Sequence, residues 1–235
     1  MSIKKEDKFD IEIEMHDKPM FLRKWKGRDV KSFNEVLENS FDIEMLTEEQ
    51  LRTLVLPCVK DYEGEYLSNY DLLYMLTQIR KNTLGNNIKF DYLCPKCEEN
   101  TKIDVDLAKC SNFEPDTFAK IVIGDITFNL QKDIKAEVLS AQEGKYLEDD
   151  ATIIEMVLRV NSFEDADGIK NEYTFEEMFE YISDLDMSDY EQLLEEYVKQ
   201  MSYFDITGTY QCQTEGCNKE HNLEFDVLPN FFGTL

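Results

Sequence analysis

Four of the six cysteines in this 235-residue chain form two close pairs that could bind a metal ion. Cys94 and Cys97 are separated by two residues, and Cys212 and Cys217 by four residues. Two such pairs supply the four sulfur ligands that tetrahedral zinc takes in structural sites. The spacing therefore predicts one structural Zn²⁺ bound by all four thiolates. Four protein ligands leave no coordination position for a reactive water, so the predicted ion contributes stability and not catalysis.

Each cysteine pair is flanked by sequence that is typical of β-strands. Apolar and polar residues alternate in segments 88–93 and 101–107 around the first pair, and segments 206–210 and 222–228 flank the second. The pattern predicts two β-hairpins with a thiol pair at each tip. Two hairpin tips that face one another would form a split zinc ribbon.

Other uses of these thiols remain as alternatives. A redox Cys-x-x-Cys is expected at the start of a helix, whereas the sequence after Cys97 is strand-like. Disulfides require export, but the first seven residues lack the apolar stretch of a signal peptide, and no segment approaches the ~18 apolar residues of a membrane span. We therefore expect a reducing cytoplasm, which favours zinc over disulfides.

Three further residues could take part in this chemistry. Cys58 follows an apolar run and is predicted to be a small core residue. Cys110 lies three residues beyond the predicted strand and is compatible with either a ligand or a core position. His221 is a possible substitute ligand, or alternatively a surface histidine in a turn.

Composition restricts the class of protein and of partner. An apolar content of 42%, with 15 Phe and 12 Tyr, is sufficient for a packed globular core. The 50 acidic and 25 basic residues give a net charge of −25, which repels nucleic acid and anionic membranes. The segment 136–201 alone contains 19 acidic and four basic residues. This segment could dock onto a basic partner, or it could form the solvated face of surface helices.

The remaining sequence predicts helices and hairpins that carry the two cysteine tips. An N-terminal hairpin is predicted at 9–15 and 20–25, with its turn at 17–19, and a second hairpin at 119–123 and 126–130. Helices are predicted at 28–37, 47–56, 68–84, 133–147 and 149–159, and two more after the capping boxes Thr174/Glu177 and Ser188/Glu191. Residues 163–173 are predicted to be a polar loop.

These elements indicate an α+β fold that is mostly helical, with several short β-hairpins and a split zinc-ribbon-like four-cysteine site joining two distant hairpins. The predicted domains are an N-terminal hairpin with helices at 1–87, a split zinc-ribbon-like module at 88–110 and 203–235, and a hairpin with an acidic helical insertion at 111–202. No enzyme is predicted, because the chain has two histidines and lacks the phosphate-loop, serine-hydrolase and metalloprotease motifs.

Two motif regions carry a family resemblance. The first is Tyr70 to Arg80 followed by Leu84-Gly85-Asn86 and Ile88 to Cys97, and the second comprises Phe204 to Ile206, Cys212 to Cys217 and Phe225 to Phe232. Together they resemble the zinc-containing baseplate hub assembly proteins of contractile-tailed, T-even-type bacteriophages. The likeness in element order covers residues 20–235. The four-residue spacer between Cys212 and Cys217 departs from the usual two residues.

The resemblance implies a non-enzymatic, late viral protein of the tail or baseplate hub, either a hub component or an assembly chaperone. It further implies contacts with tail or baseplate hub proteins or the tape measure protein, in the host cytoplasm during assembly or in the virion baseplate. Direct contact with nucleic acid or membrane is not expected. Phe231 and Phe232 are candidate partner contacts, or alternatively pack on their own core. The alternative function is an acidic zinc-ribbon adaptor that binds RNA polymerase or another cytoplasmic machine.

Overall fold

A computed structural model describes residues 7–38, 46–146 and 151–224 of the chain. Within these residues it contains eight α-helices and eleven β-strands, which confirms the predicted α+β class. The helices are α1 Gly27–Glu38, α2 Glu48–Val55, α3 Asn69–Leu84, α4 Leu107–Cys110, α5 Ala136–Lys145, α6 Ala151–Arg159, α7 Phe175–Ser183 and α8 Met187–Val198. The strands are β1 Ile11–Met15, β2 Lys18–Leu22, β3 Asn87–Leu93, β4 Asn100–Asp106, β5 Ser111–Glu114, β6 Lys120–Ile123, β7 Ile126–Leu130, β8 Val160–Asp165, β9 Gly168–Lys170, β10 Tyr203–Gln211 and β11 Glu220–Glu224.

All of these strands pair antiparallel, in four small sheets. The strands β1 and β2 form one hairpin, and β3 and β4 form another. A three-stranded sheet has the order β11-β10-β5, and a four-stranded sheet has the order β6-β7-β8-β9. No helix in the described ranges has the length and apolarity needed to cross a membrane.

The chain divides into two compact units. Unit 1 comprises residues 1–61, 69–114 and 203–235, and unit 2 comprises residues 62–68 and 115–202. Unit 1 therefore contains both cysteine hairpins, although they are far apart in sequence. The three-part domain division at 87/88, 110/111 and 202/203 stays a prediction.

Unit 1 begins with a hairpin whose turn differs from the predicted one. The turn consists of His16 and Asp17, with φ of 50° and 59°, and Pro19 lies within β2. Positive φ at both central residues is the geometry that matches the twist of a two-residue hairpin. Ile11, Ile13 and Met15 are buried on one face of β1, as the alternating pattern predicts.

A buried arginine joins this hairpin to the following helices. Arg23 is 1% exposed, and its guanidinium donates two hydrogen bonds to Asp29, at 2.7 and 3.0 Å, and one to the carbonyl of Pro57 at 3.2 Å. Burial raises the pKa of Asp29, but the hydrogen bonds from Arg23 and from the backbone N–H of Lys26, together with the nearby positive charges, outweigh it and hold that pKa below its usual range. The paired charges make burial of Arg23 tolerable.

The helix α3 leads directly to the first cysteine hairpin. Gly85 ends this helix with a φ of +93°, which a residue without Cβ adopts at little cost. The side chain of Arg80 donates to the carbonyl of Gly85 and, at 2.9 Å, to that of Asn87. These bonds fix the path from α3 into β3.

Unit 2 has its own apolar core between its four-stranded sheet and helices α6, α7 and α8. The core includes Ile121, Phe128 and Phe163 from one face of the sheet. From the helices it includes Met156, Val157, Met178, Ile182, Leu193 and Tyr197. Unit 2 therefore buries a set of side chains independent of the cysteine hairpins.

The prediction of a polar loop at 163–173 is wrong. Residues 160–165 form β8, which pairs with β7, and residues 168–170 form β9. Phe163 is buried in the core opposite Phe128, so tertiary packing overrides the polar composition of the segment. Residues 166 and 167 form the turn between these two strands.

One of the two later capping boxes is also placed differently. Thr174 and Glu177 form the predicted capping box of α7. At α8, however, Asp186 is the N-cap and accepts from the backbone N–H of Asp189 at 3.3 Å, whereas Ser188 lies inside the helix. The helix therefore begins earlier than the Ser188 motif predicts.

Candidate metal centre

The first cysteine pair occupies the tip of the β3–β4 hairpin. The ladder ends at the pair Leu93 and Asn100. Beyond it, the backbone N–H of Cys94 donates to the carbonyl of Glu99 at 3.1 Å, and that of Glu98 donates back to Cys94 at 2.8 Å. Glu98 has a φ of 58°, which closes the turn. These bonds hold the Cys94 and Cys97 side chains on one tight loop.

The second pair occupies the tip of the β10–β11 hairpin, whose ladder ends at Gln211 and Glu220. The backbone N–H of Cys212 donates to the carbonyl of Lys219 at 2.9 Å, and that of Cys217 donates to Thr214 at 3.0 Å. Gly216 has a φ of +81° within the loop. The four residues between Cys212 and Cys217 thus form a turn, and both thiols lie at the tip of the hairpin.

The two tips bring the four thiols together. All four Sγ atoms lie within 4.8 Å of one another. The Sγ atoms of Cys94 and Cys217 are 3.8 Å apart, and those of Cys97 and Cys212 are 3.7 Å apart. A tetrahedron with metal–sulfur bonds of about 2.3 Å has edges of about 3.8 Å. The two distances therefore match a four-thiolate metal site and are far longer than the ~2.05 Å of a disulfide.

The site is enclosed by protein. Cys94, Cys212 and Cys217 are buried, whereas Cys97 is partly exposed. Ile103, Val105 and Tyr210 are buried with them in a small apolar cluster. An apolar shell limits access of solvent to a bound ion and strengthens the attraction between thiolates and metal.

Local hydrogen bonds favour thiolates at part of this site. Burial raises the pKa of Cys94, but the backbone N–H groups of Cys97 and Lys96 outweigh it and lower that pKa. The hydroxyl and backbone of Thr214 lower the pKa of Cys212 to about 6. The backbone of Lys219 lowers the pKa of Cys217, but burial and the neighbouring thiols raise it to about 11. A cation among the four sulfurs would remove this conflict between neighbouring thiolates.

Two contacts outside the thiols hold the hairpins face to face. The Nζ of Lys96 donates to the carbonyl of Cys217 at 3.1 Å. The hydroxyls of Thr101, in β4, and Tyr210, in β10, are 2.8 Å apart. Sequence reasoning missed these contacts, although the lysine between Cys94 and Cys97 was a visible signal. These two hydrogen bonds link the hairpins in addition to the four clustered thiols.

The donor set fits a soft or borderline metal ion. Four thiolates in tetrahedral arrangement are typical of zinc or iron, because hard cations prefer oxygen ligands. Bound at this position, an ion would connect two hairpins of unit 1 that are separated by more than a hundred residues.

The other predicted candidates lie outside this cluster or outside the described residues. Cys58 is 1% exposed in the core, as predicted, and burial raises the pKa of its thiol to about 12. Cys110 is partly buried and packs against the cluster without joining the four clustered thiols. The side chain of His221, and all of Phe231 and Phe232, lie outside the described part of the chain.

Comparison with known proteins places this architecture in a family. A family model described as T4 bacteriophage base plate protein matches residues 7–233. No curated protein and no solved structure matches the chain. The matched span covers nearly the whole sequence and includes all four clustered cysteines. The chain therefore belongs to the T4 bacteriophage base plate protein family.

Proposed function

We propose that this protein is a non-enzymatic assembly protein of the baseplate hub, either a hub component or an assembly chaperone. The family match over residues 7–233 carries the proposal, because family membership assigns a structural or assembly role in the base plate of T4-like phages. The hub assignment itself rests on the resemblance of the two cysteine-containing motif regions. The protein would act through contacts with other tail or baseplate proteins, including the tape measure protein as a candidate partner.

We further propose that the ion at the four-cysteine site is structural zinc. The two Sγ–Sγ distances of 3.7 and 3.8 Å support a metal-bound geometry, and zinc has no redox chemistry that would require control. Cys94, Cys97, Cys212 and Cys217 would be its ligands. With four protein ligands, such an ion has no position at which to activate water, which supports a structural role.

The charge of the chain supports protein partners over other partners. A net charge of −25 opposes binding to phosphate backbones and anionic lipids. The protein would meet its partners in the host cytoplasm during assembly. A hub component would afterwards remain in the virion baseplate, whereas a chaperone would be released.

Co-purification from infected cells tests the partner assignment. Tagged protein should capture tail or baseplate proteins. A variant in which both Cys94 and Cys97 are replaced by Ser should capture less, because it loses two of the four ligands that would hold the hairpins together. Capture of RNA polymerase subunits without tail proteins would contradict the proposal and support the adaptor function. Quantitative mass spectrometry of purified phage particles then separates a permanent component from a chaperone.

Metal analysis tests the zinc assignment separately. Protein purified under reducing conditions should contain about one equivalent of zinc per chain. If iron is the main metal, the four-cysteine metal site is supported but the assignment of zinc is contradicted. Less than about half an equivalent of any metal, after growth in zinc-supplemented medium, would contradict a metal clamp.

A further inference from the structure

The arrangement of the four sulfurs indicates what happens to the site when the metal is lost under oxidising conditions. Two close approaches, Cys94 to Cys217 at 3.8 Å and Cys97 to Cys212 at 3.7 Å, run between the hairpins, in a cluster whose four Sγ atoms all lie within 4.8 Å of one another. Each cysteine is therefore close to a thiol of the opposite hairpin. To form a disulfide, the two sulfurs of each pair need to move about 1.7 Å closer to one another.

Contacts other than the thiols also hold the two hairpins together. The Lys96 to Cys217 hydrogen bond and the contact between Thr101 and Tyr210 connect the same two hairpins. The turns around each thiol pair are fixed by their own backbone hydrogen bonds. Loss of the ion would thus leave the thiols facing their partners across the gap.

We propose that the four-cysteine site is convertible from a metal clamp into a disulfide clamp, with Cys94 bonded to Cys217 and Cys97 to Cys212. In this conversion two molecules of hydrogen peroxide oxidise four metal-bound thiolates. Two S–S bonds form, four protons are taken up, the divalent ion is released, and four waters are produced. Both forms connect the same two hairpins, so unit 1 keeps its closure in either state.

Such a conversion suits a protein that leaves the reducing cytoplasm in a phage particle, because disulfides persist at virion surfaces. The inference rests on the proposed metal clamp for the starting state. The disulfide pairing itself depends only on the positions of the sulfurs. The metal clamp and the disulfide pairing can therefore be contradicted by different results.

Disulfide mapping of the full-length protein tests the pairing. The metal-loaded protein is treated with hydrogen peroxide, free thiols are blocked with N-ethylmaleimide, and the product is digested with trypsin and a glutamate-specific protease. Cleavage after Lys96 separates Cys94 from Cys97, and cleavage after Glu215 separates Cys212 from Cys217. Each of the four thiols can therefore be assigned to its partner by mass spectrometry.

The expected result is two cross-linked peptides, one joining Cys94 to Cys217 and one joining Cys97 to Cys212, with metal release in step with disulfide formation. Dominant pairs within a hairpin, pairs with Cys58 or Cys110, or sulfinic acids without cross-links would overturn the proposal. A Cys110→Ser variant should give the same map and serves as the matched control. Correct pairing in a protein that never held metal would support the convertible thiols but contradict the proposed zinc clamp.

Discussion

Each of the four clustered cysteines contributes one sulfur to a site that has no spare ligand among the described residues. Replacing Cys212 by Ser removes a ligand whose thiolate is favoured by Thr214. We expect bound zinc to fall from about one equivalent to well below half, because structural zinc requires four ligands. Metal analysis after gel filtration measures this change.

The matched control is Cys110→Ser, which alters a partly buried thiol beside the same cluster. This variant should retain its metal. Equal metal loss in both variants would indicate that Cys110 is a ligand and that the four-residue assignment is wrong.

Lys96 is predicted to stabilise the metal site without touching the ion. Its Nζ joins the first tip to the carbonyl of Cys217 and places a positive charge beside the thiolates. Lys96→Met should weaken metal retention by about 10-fold, a typical effect of removing a group that orients metal ligands. Competition with a chromogenic chelator measures the affinity. Lys102→Met, in the exposed part of β4, is the control and should leave the affinity unchanged.

At the scale of a single element, the start of α8 distinguishes the observed cap from the one suggested by sequence. Asp186→Ala removes the side chain that accepts from Asp189 and should lower the free energy of unfolding of unit 2 by about 1 kcal/mol. Ser188→Ala changes a residue inside the helix and should be neutral or slightly stabilising, because Ala has the higher helix propensity. Urea denaturation followed by circular dichroism measures both. A larger loss for Ser188→Ala would support the capping box of the sequence prediction.

The cysteine hairpins illustrate how far local sequence specifies an element. Alternation predicts β3 and β4 within one residue of their observed limits, because one face of each strand must be buried. Alternation does not predict β8 and β9, since their pairing depends on β7 and on the burial of Phe163. Strands stabilised mainly by tertiary packing lack a strong local signal.

At the scale of the whole molecule, the metal should stabilise one unit and not the other. The only tryptophan, Trp25, lies in unit 1, and its backbone N–H donates to Thr83 of α3 at 3.1 Å. Chelation should lower the denaturation midpoint reported by Trp25 fluorescence, because metal binding is coupled to folding. Amide protection in residues 151–198 of unit 2, measured by hydrogen exchange, should stay unchanged. A parallel loss of protection in both units would contradict this separation.

Local patterns along the chain were enough to establish the chemical type of the site and most of the elements that carry it. The identities of the four cysteines and the alternation around them are local properties, so they can be recognised without knowing the fold. The capping box of Thr174 and the end of α3 at Gly85 are local for the same reason.

Which sulfurs face one another, in contrast, depends on the folded arrangement of the chain. The distances from Cys94 to Cys217 and from Cys97 to Cys212 depend on how two hairpins, separated by the whole of residues 115–202, come together in unit 1. The Lys96 and Tyr210 contacts between those hairpins are likewise absent from any local pattern. Side chains distant in sequence acquire their geometry from packing and long-range hydrogen bonds, which neither composition nor spacing specifies.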